Sequence, residues 1–125
     1  MSPRARDLLL ALDQGSSSSR ALVFDLTGHV VVSAQKAVKT SRSKESWAEH
    51  DPLELAKTIE TVLDAVLSKL NPSDKIHAAG LAVQRSTIIF CDKNNFTPVA
   101  KAPSWMDGRA TAEIAPLLMM RPPRG

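Results

Sequence analysis

The residues best suited to chemistry lie in one short segment, Asp13–Arg20, which holds a carboxylate, a glycine, four serines and an arginine. Glycine lets the backbone approach an anion closely, and successive N–H groups with serine hydroxyls can surround phosphate oxygens. A carboxylate at a strand end can hold Mg²⁺, directly or through water, because hard cations prefer oxygen ligands. The segment is not a Walker P-loop, in which Gly-Lys-Ser/Thr would follow. It therefore indicates either a phosphate-binding turn or an ordinary polar hairpin.

Three predicted strands surround this segment. Asp7–Asp13 is a short apolar run closed by turn residues, which is typical of a buried strand. Gln14–Ser19 is a compact polar turn, and Arg20–Leu26 is rich in β-forming residues. Val30–Val38 follows a Thr-Gly-His turn and predicts a third strand. Because the connections are short, the three strands are expected to form an antiparallel meander.

The period of the pattern changes after Thr40–His50, a polar and charged segment that predicts a loop. Asp51 is a good N-cap, and Pro52 suits the first helical position. Apolar residues then recur at helical spacing on one face: Leu55, Ile59, Val62, Leu63, Val66 and Leu70. The Asn-Pro pair at Asn71 predicts the end of this helix.

The rest of the chain predicts further strands. Ile76–Val83 is rich in small residues, and its place after a strand and a long helix predicts a crossover that covers one sheet face. The remaining predictions are a fifth strand at Thr87–Asp92, an edge strand at Pro98–Ala100, a loop at Lys101–Arg109, and a helix from about Ala110 that Pro116 should end or kink. The elements together predict an α/β domain with a mixed sheet.

Composition narrows the functional classes. The 125 residues suffice for one domain, and 43% hydrophobic with 23% charged residues is a globular balance. The net charge of +3 comes from scattered basic residues, so we expect no nucleic-acid partner. No apolar stretch is long enough to span a membrane, and the single Cys91 can form neither an intrachain disulfide nor a zinc site alone. His29, His50 and His77 lack partners at metal-ligand spacing. A cytoplasmic location is predicted.

Four motifs, in order and at similar spacing, resemble the FGGY family of carbohydrate kinases, in particular its glycerol kinase-like branch. They are Leu10–Asp25, Trp47–Pro52, Ala82–Thr87 and Ser104–Arg109. The resemblance runs from Leu8 to Ile114 and implies a ribonuclease H-like, actin-like ATPase fold. It also implies ATP-dependent phosphorylation of a polyol or sugar. It divides the chain into a tail at 1–7, the N-terminal part of the kinase first lobe at 8–115, and an irregular tail at 116–125.

The resemblance also implies residue roles. Asp13 would be catalytic and would act near Mg²⁺ and the transferring phosphoryl group. The residues implied to line the ATP phosphates and the nucleotide are Gln14, Gly15, Ser16, Ser17, Ser18 and Arg20. Those implied to face the substrate are Arg85, Ser86, Trp105 and Asp107. For Asp107 and Arg109 a salt bridge that fixes the loop is the stronger expectation, and for Trp47 simple packing.

The chain departs from the family pattern on the substrate side. Ser86 stands where glycerol kinases carry a glutamate that accepts hydrogen bonds from glycerol, and Met106 stands where that branch usually has glutamine. A short neutral hydroxyl cannot replace a longer charged acceptor. The phosphate side is therefore predicted to be intact and the substrate side altered, so that a pentulose or another polyol fits as well as glycerol.

Length is the larger departure, because FGGY kinases are several-fold longer than this chain. In the family the catalytic base and the adenosine site lie in later segments, so the 125-residue chain alone is expected to be an inactive N-terminal fragment. A full-length form allows a homo-oligomer. The alternative is a non-catalytic interaction or regulatory module that kept the fold. A nuclease of similar strand order would need several clustered acids, and Asp13 is the only well-placed one.

Overall fold

The computed structural model describes residues 4–120, which form a four-stranded mixed sheet, a short two-stranded sheet and two helices. The elements in chain order are β1 (Asp7–Gln14), β2 (Ser18–Asp25), β3 (Val30–Ala37), β4 (Glu49–His50), α1 (Pro52–Leu67), β5 (Lys75–Val83), β6 (Ala102–Pro103) and α2 (Thr111–Met119). The strand order of the main sheet is β3-β2-β1-β5. The α/β class with a mixed sheet is therefore confirmed.

The antiparallel meander is confirmed as well. β1 pairs with β2 and β2 with β3, both antiparallel, while β5 pairs with β1 in parallel. The polar turn is shorter than predicted, because β2 already begins at Ser18, where it pairs with Ala37 of β3. The parallel pairing is the part that matters for function: it brings the carboxyl ends of β1 and β5 to the same edge of the sheet.

Helix α1 begins and packs as its sequence predicts. The Asp51 side chain accepts hydrogen bonds from the N–H groups of Leu53 and Glu54, which caps the helix. The helix packs chiefly on β2 and β3, and it ends at Leu67, three residues before the last predicted apolar position. The buried cluster between helix and sheet consists of Leu8, Leu10, Ala21, Val23, Val62 and Val66. The four strand residues of this cluster alternate along β1 and β2, and the face that they form holds the ends of the two strands in place.

Four of the smaller predictions are wrong. Thr87–Asp92 and Pro98–Ala100 form a single bridge, Cys91 to Pro98, and no strand. The pairing consists of two hydrogen bonds, from Val99 N–H to the Phe90 carbonyl at 3.0 Å and from Asp92 N–H to the Thr97 carbonyl at 2.9 Å. The Asp92 carboxylate accepts from Asn94 N–H, and the chain turns there. The loops predicted at Thr40–His50 and Lys101–Arg109 contain β4 and β6, which pair with each other.

Helix α2 also differs from its prediction, because it continues through Pro116 to Met119. The missing proline N–H leaves one carbonyl, that of Ala112, without its usual partner, and the whole helix is exposed. The start of the segment predicted as an irregular tail is thus helical, whereas residues 121–125 lie outside the described part. Within residues 4–120 no helix is both long and apolar enough to cross a bilayer.

The histidines take up local contacts. His77 Nε2 lies 2.6 Å from Asp7 Oδ1 at the start of the sheet, and His29 Nδ1 lies 2.7 Å from the Thr27 hydroxyl in the β2–β3 turn. His50 is buried, with its Nδ1 2.9 Å from the Lys39 carbonyl oxygen. In the described part of the chain there is no group of three or more His, Cys, Asp or Glu side chains placed to hold a metal ion.

An ion pair fastens the start of β1 to the turn before β5. Arg6 donates to the buried Asp74 carboxylate through Nε at 3.0 Å and Nη2 at 2.6 Å, and Asn71 N–H donates to it at 2.8 Å. These donors, the Arg6 guanidinium first, lower the pKa of Asp74 from 3.8 to about 2. The pair therefore links two segments that must stay aligned for β1 and β5 to keep their register.

The depressed pKa predicts an acid-sensitive contribution to stability. Because the pKa of Asp74 is lower in the folded state, its stabilisation is complete above about pH 4 and is lost as the pH falls through about 2. We expect Asp74→Asn to lower the unfolding temperature at pH 6, and the difference from the parent to vanish near pH 2. Thermal unfolding of both proteins across this range measures it. A difference that stays constant would contradict the assignment.

Candidate functional site

The turn between β1 and β2 is tight and is fixed at both ends. Gly15 N–H donates to the Ser18 carbonyl at 2.9 Å, and Val38 N–H donates to the Ser17 carbonyl at 2.9 Å. A Cβ on Gly15 would lie 3.0 Å from the Ser18 carbonyl oxygen, so any other residue would require this carbonyl to shift by a few tenths of an ångström. The next serine, Ser19, is buried and hydrogen-bonds to the Thr58 hydroxyl of α1 at 2.8 Å. The turn is thus held on the helix side, while Ser17 is exposed to solvent.

Asp13 and Arg20 lie directly opposite each other on β1 and β2. Successive side chains of a strand point to opposite faces of the sheet. The neighbours Gln14 and Ser19 are buried on the α1 side, so Asp13 and Arg20 lie on the opposite face, where both are exposed. Ala82 of β5 lies on the other side of Asp13. A carboxylate and a guanidinium therefore flank the mouth of the turn, which matches the charges of a metal–phosphate complex.

A second set of predicted residues meets at the end of β5. The Gln84 N–H donates to the Gln14 carbonyl at 2.8 Å, which continues the parallel pairing one residue beyond β5. Directly after it, a cavity of about 370 Å³ is lined by Gln84, Arg85, Ser86 and Trp105. Three of the four residues predicted to face the substrate are thus brought together, beside the turn.

The backbone of this pocket is unusual at Ser86, whose φ of 59° lies in the left-handed region. Such a conformation costs free energy in a residue other than glycine and persists where the surroundings impose it, often at functional sites. The loop that follows carries the Thr87 hydroxyl back to the Gln84 side chain at 2.9 Å. The turn of the chain at Ser86 is therefore anchored on the strand end.

Trp105 reaches the pocket because its loop is tied to two other segments. Ile88 N–H donates to the Pro103 carbonyl at 3.2 Å, and Ser104 N–H donates to the Ala48 carbonyl at 2.9 Å. Trp105 is 58% exposed, so its ring is not buried in the protein core and presents an apolar surface to the pocket.

Asp107, the fourth residue predicted to face the substrate, lies in a different environment. Its carboxylate accepts from Arg109 Nε and Nη2, each at 2.7 Å, and from Ala48 N–H at 2.8 Å. The Arg109 guanidinium, together with that N–H, holds the pKa of Asp107 well below its usual range. Both carboxylate oxygens are engaged, as in the expected loop-fixing salt bridge. Substrate contact by Asp107 stays a prediction.

Arg109 also contacts two residues that the motifs did not assign to the site, Glu49 and Trp47. It donates to Glu49 Oε1 at 2.8 Å, and its guanidinium carbon lies 3.6 Å from the centre of the Trp47 ring. These acceptors, Asp107 first and then Glu49, raise the pKa of Arg109 above its ordinary value. Trp47 is thus a packing residue, as expected, and its stacked partner is the arginine of the Trp105 loop. The sequence showed the Trp-Ala-Glu motif but did not indicate that Arg109 would be its partner.

The stacked and forked geometry predicts that lysine cannot replace Arg109. A lysine keeps the charge but loses the paired hydrogen bonds and the planar stack. We expect Arg109→Lys to lower the unfolding temperature by several degrees and to speed amide exchange at Ser104 and Gly108. The exposed Arg4→Lys, far from this loop in the chain, is the matched control and should change neither quantity. Equal behaviour of the two variants would show that the cluster does not fix the loop.

The fold is shared with carbohydrate kinases of known structure. Among solved structures, glycerol kinase from Plasmodium falciparum with ADP superimposes with a TM-score of 0.86 at 24% identity, covering 94% of this chain and 24% of that one. Xylulose kinase from Rhodospirillum rubrum gives a TM-score of 0.83 at 23% identity, covering 91% and 23%. These likenesses establish the actin-like ATPase fold.

The sequence matches the model of the FGGY family of carbohydrate kinases, N-terminal domain, over residues 8–120, and the chain belongs to that family. It is 41% identical over 110 residues to the glycerol kinase of Acidovorax sp. (strain JS42) and 40% identical over 114 residues to that of Clostridium perfringens. These alignments cover 87% and 90% of this chain but 22% and 23% of the relatives. The chain thus spans less than a quarter of the curated relatives it matches.

Proposed function

We propose that this chain provides the phosphate-binding turn and the acceptor pocket of a kinase that transfers a phosphoryl group from ATP to a polyol or sugar hydroxyl. The observation that carries the proposal is the junction of β1 and β5, where Gln84 N–H meets the Gln14 carbonyl at 2.8 Å. This junction sets the serine-rich turn beside the pocket of Arg85, Ser86 and Trp105. Phosphoryl transfer depends mainly on such positioning of donor and acceptor, with charge stabilisation.

On the phosphate side, Gly15 and the hydroxyls of Ser16 and Ser17 would contact phosphate oxygens, with Arg20 supplying positive charge. Asp13 fits a divalent cation: its carboxylate is exposed, and no hydrogen bond or ion pair to it occurs within residues 4–120. Mg²⁺, when bound, neutralises phosphate charge and takes most of its ligands from phosphate and water, so a single carboxylate suffices. Asp13 would thus orient the phosphate end of ATP.

On the acceptor side, Arg85 would donate hydrogen bonds to substrate hydroxyls, and the Trp105 ring would lie against the carbon chain. The neutral Ser86 hydroxyl donates or accepts weaker hydrogen bonds than those that a glutamate carboxylate would accept. The proposal therefore extends the acceptor class beyond glycerol to pentuloses and other polyols. The proposal also includes a cytoplasmic location, ATP and a polyol or sugar as small-molecule partners, and a homo-oligomer as an option for a full-length form.

Ser86 also favours a second candidate, a non-catalytic module that retains the fold. Loss of the charged acceptor would weaken acceptor binding, and we assign no general base to any residue among 4–120. Such a module would keep phosphate binding without transfer. The two candidates differ in one measurable property, the dependence of ADP release on an acceptor.

A hybrid enzyme tests the proposal. In it, residues 8–120 of this chain replace the matching segment of the Clostridium perfringens glycerol kinase. We expect ADP release that depends on Mg²⁺ and on an acceptor from a panel of glycerol, longer polyols and pentuloses, with the unaltered relative as the reference. The 125-residue chain alone should release no ADP, because general-base catalysis needs a base near the acceptor hydroxyl. A folded hybrid without acceptor-dependent release would favour the non-catalytic module.

A further inference from the structure

A continuous chain of side-chain hydrogen bonds joins residues 85–87, the acceptor loop, to the turn between β1 and β2 at residues 15–17, the phosphate turn. The Thr87 hydroxyl donates to Gln84 Oε1 at 2.9 Å, and Gln84 Nε2 donates to Gln14 Oε1 at 3.1 Å. Gln14 Nε2 then donates to the Gly15 carbonyl at 2.8 Å. Three side chains thus connect residues on both sides of the β1–β5 junction.

The direction of this chain is fixed at one end. The Gly15 carbonyl can only accept, so the NH₂ group of Gln14 must face it and its oxygen must face Gln84. Gln84 then has to present its own NH₂ group to Gln14, which leaves its oxygen for the Thr87 hydroxyl. Every donor in the chain therefore points from the acceptor loop toward the turn, and no member can be reversed alone.

The position of Gln14 separates it from the phosphate face. Its side chain is buried, with the residue only 8% exposed, and it lies on the α1 side of the sheet. Asp13 and Arg20 point to the opposite side. The Gln14 amide is therefore engaged below the turn and has no free group directed to the mouth.

We propose that Gln14 and Gln84 are positioning residues, which hold the phosphate turn in a fixed place relative to the acceptor pocket. This inference rests on the proposed function, and it replaces the phosphate-lining role predicted for Gln14. Because both amides belong to one hydrogen-bonded chain, loss of either should release the turn to a similar extent. Arg85 and Ser86 follow Gln84 directly, so the same chain keeps the acceptor loop and the turn in register.

Methionine is the substitution that tests this, because it keeps the volume and length of glutamine and removes the amide. The full 125-residue chain is compared with Gln14→Met, Gln84→Met and the double variant by amide hydrogen exchange. We expect exchange at the Gly15 and Gln84 amides to speed up about fivefold in each single variant, the factor for one hydrogen bond of ordinary net strength. The Asp25 amide, at the far end of β2, serves as the reference and should stay unchanged.

The double variant distinguishes positioning from packing. If the two amides act as one unit, the double variant should exchange no faster than either single one, whereas independent packing effects would multiply. Gln35→Met, on exposed β3, is the matched control and should leave both amides unchanged. Multiplying effects, or equal acceleration at Asp25, would overturn the inference.

The affinity of the hybrid enzyme for MgATP, with the same substitutions introduced into it, gives a second readout. Each single variant should weaken MgATP binding about fivefold, and the double variant no further. An affinity equal to that of the parent in both single variants would overturn the inference while leaving the proposed function intact. If the hybrid enzyme with both glutamines binds no MgATP, the proposed function is contradicted, and the exchange measurements still decide whether the two glutamines hold the turn.

Discussion

Replacing Asp13 with asparagine in the hybrid enzyme should lower turnover at least about 100-fold, the usual scale for losing one group that stabilises transition-state charge. Asparagine has nearly the same shape but no charge, so it would no longer favour a cation beside the phosphates. Asp13 has no described side-chain partner, and its side chain is exposed, so the free energy of unfolding should change by no more than about 0.5 kcal/mol. A large kinetic effect with a small effect on stability is what a site residue predicts.

Turnover at saturating acceptor and the unfolding transition of the same preparation measure this together. Asp64→Asn is the matched control, because Asp64 is an exposed aspartate on the surface of α1. It should leave both quantities unchanged. If Asp13→Asn keeps turnover within a few-fold of the hybrid at equal folded fraction, Asp13 does not act on the phosphates.

The sequence predicted the parts of the site that follow from local pattern. The apolar run ending in Asp13, the meander and the capped helix each come from neighbouring residues, and all three are present. The grouping of Arg85, Ser86 and Trp105 was predicted from the resemblance, and the pocket brings them together. These three residues therefore lie together, whereas Asp107, from the same motif as Trp105, is engaged by Arg109 outside the pocket. Their roles stay predictions.

What the sequence did not predict depends on register between distant segments. Gln14 meets Gln84 only because β1 pairs with β5 in a register that sets Gln14 beside Val83. A shift by one residue would turn the Gln14 side chain toward another neighbour, and no local pattern specifies that register. The stack of Arg109 on Trp47 has the same origin, since it requires the last loop to return to the segment before α1.

The strand predicted at Thr87–Asp92 is absent for a related reason. Thr87–Asp92 has the composition of a strand, but a strand also needs a partner, and within residues 4–120 this segment pairs only through the Cys91–Pro98 bridge and the Ile88–Pro103 hydrogen bond. Its apolar side chains Ile88, Ile89 and Phe90 remain about half exposed. β-propensity reports how well a residue fits a half-buried pleated surface, and here the described chain provides no such surface.

Acceptor preference should depend on position 86. In the hybrid enzyme, Ser86→Glu would add a charged acceptor at the rim of the pocket that Arg85 and Trp105 line. The left-handed backbone at Ser86 already accommodates a Cβ, so glutamate adds length without a new backbone conformation. We expect kcat/KM for glycerol to rise about tenfold relative to longer polyols and pentuloses, because a hydrogen bond to a charged group contributes roughly 1.5–3 kcal/mol.

The reason lies in how each acceptor uses the pocket. Glycerol has few hydroxyls, so one strong acceptor at position 86 would provide a large share of its polar contacts. A longer polyol has more hydroxyls and more carbon atoms, so the same carboxylate would provide a smaller share of its contacts. Ser86→Gln is the matched control, because it has the same length without the charge and should produce a smaller shift. Paired kcat/KM measurements on glycerol and a pentulose give the ratio directly. A ratio that stays the same in Ser86→Glu, with the variant folded and Arg85 unchanged, would mean that this position does not select the acceptor.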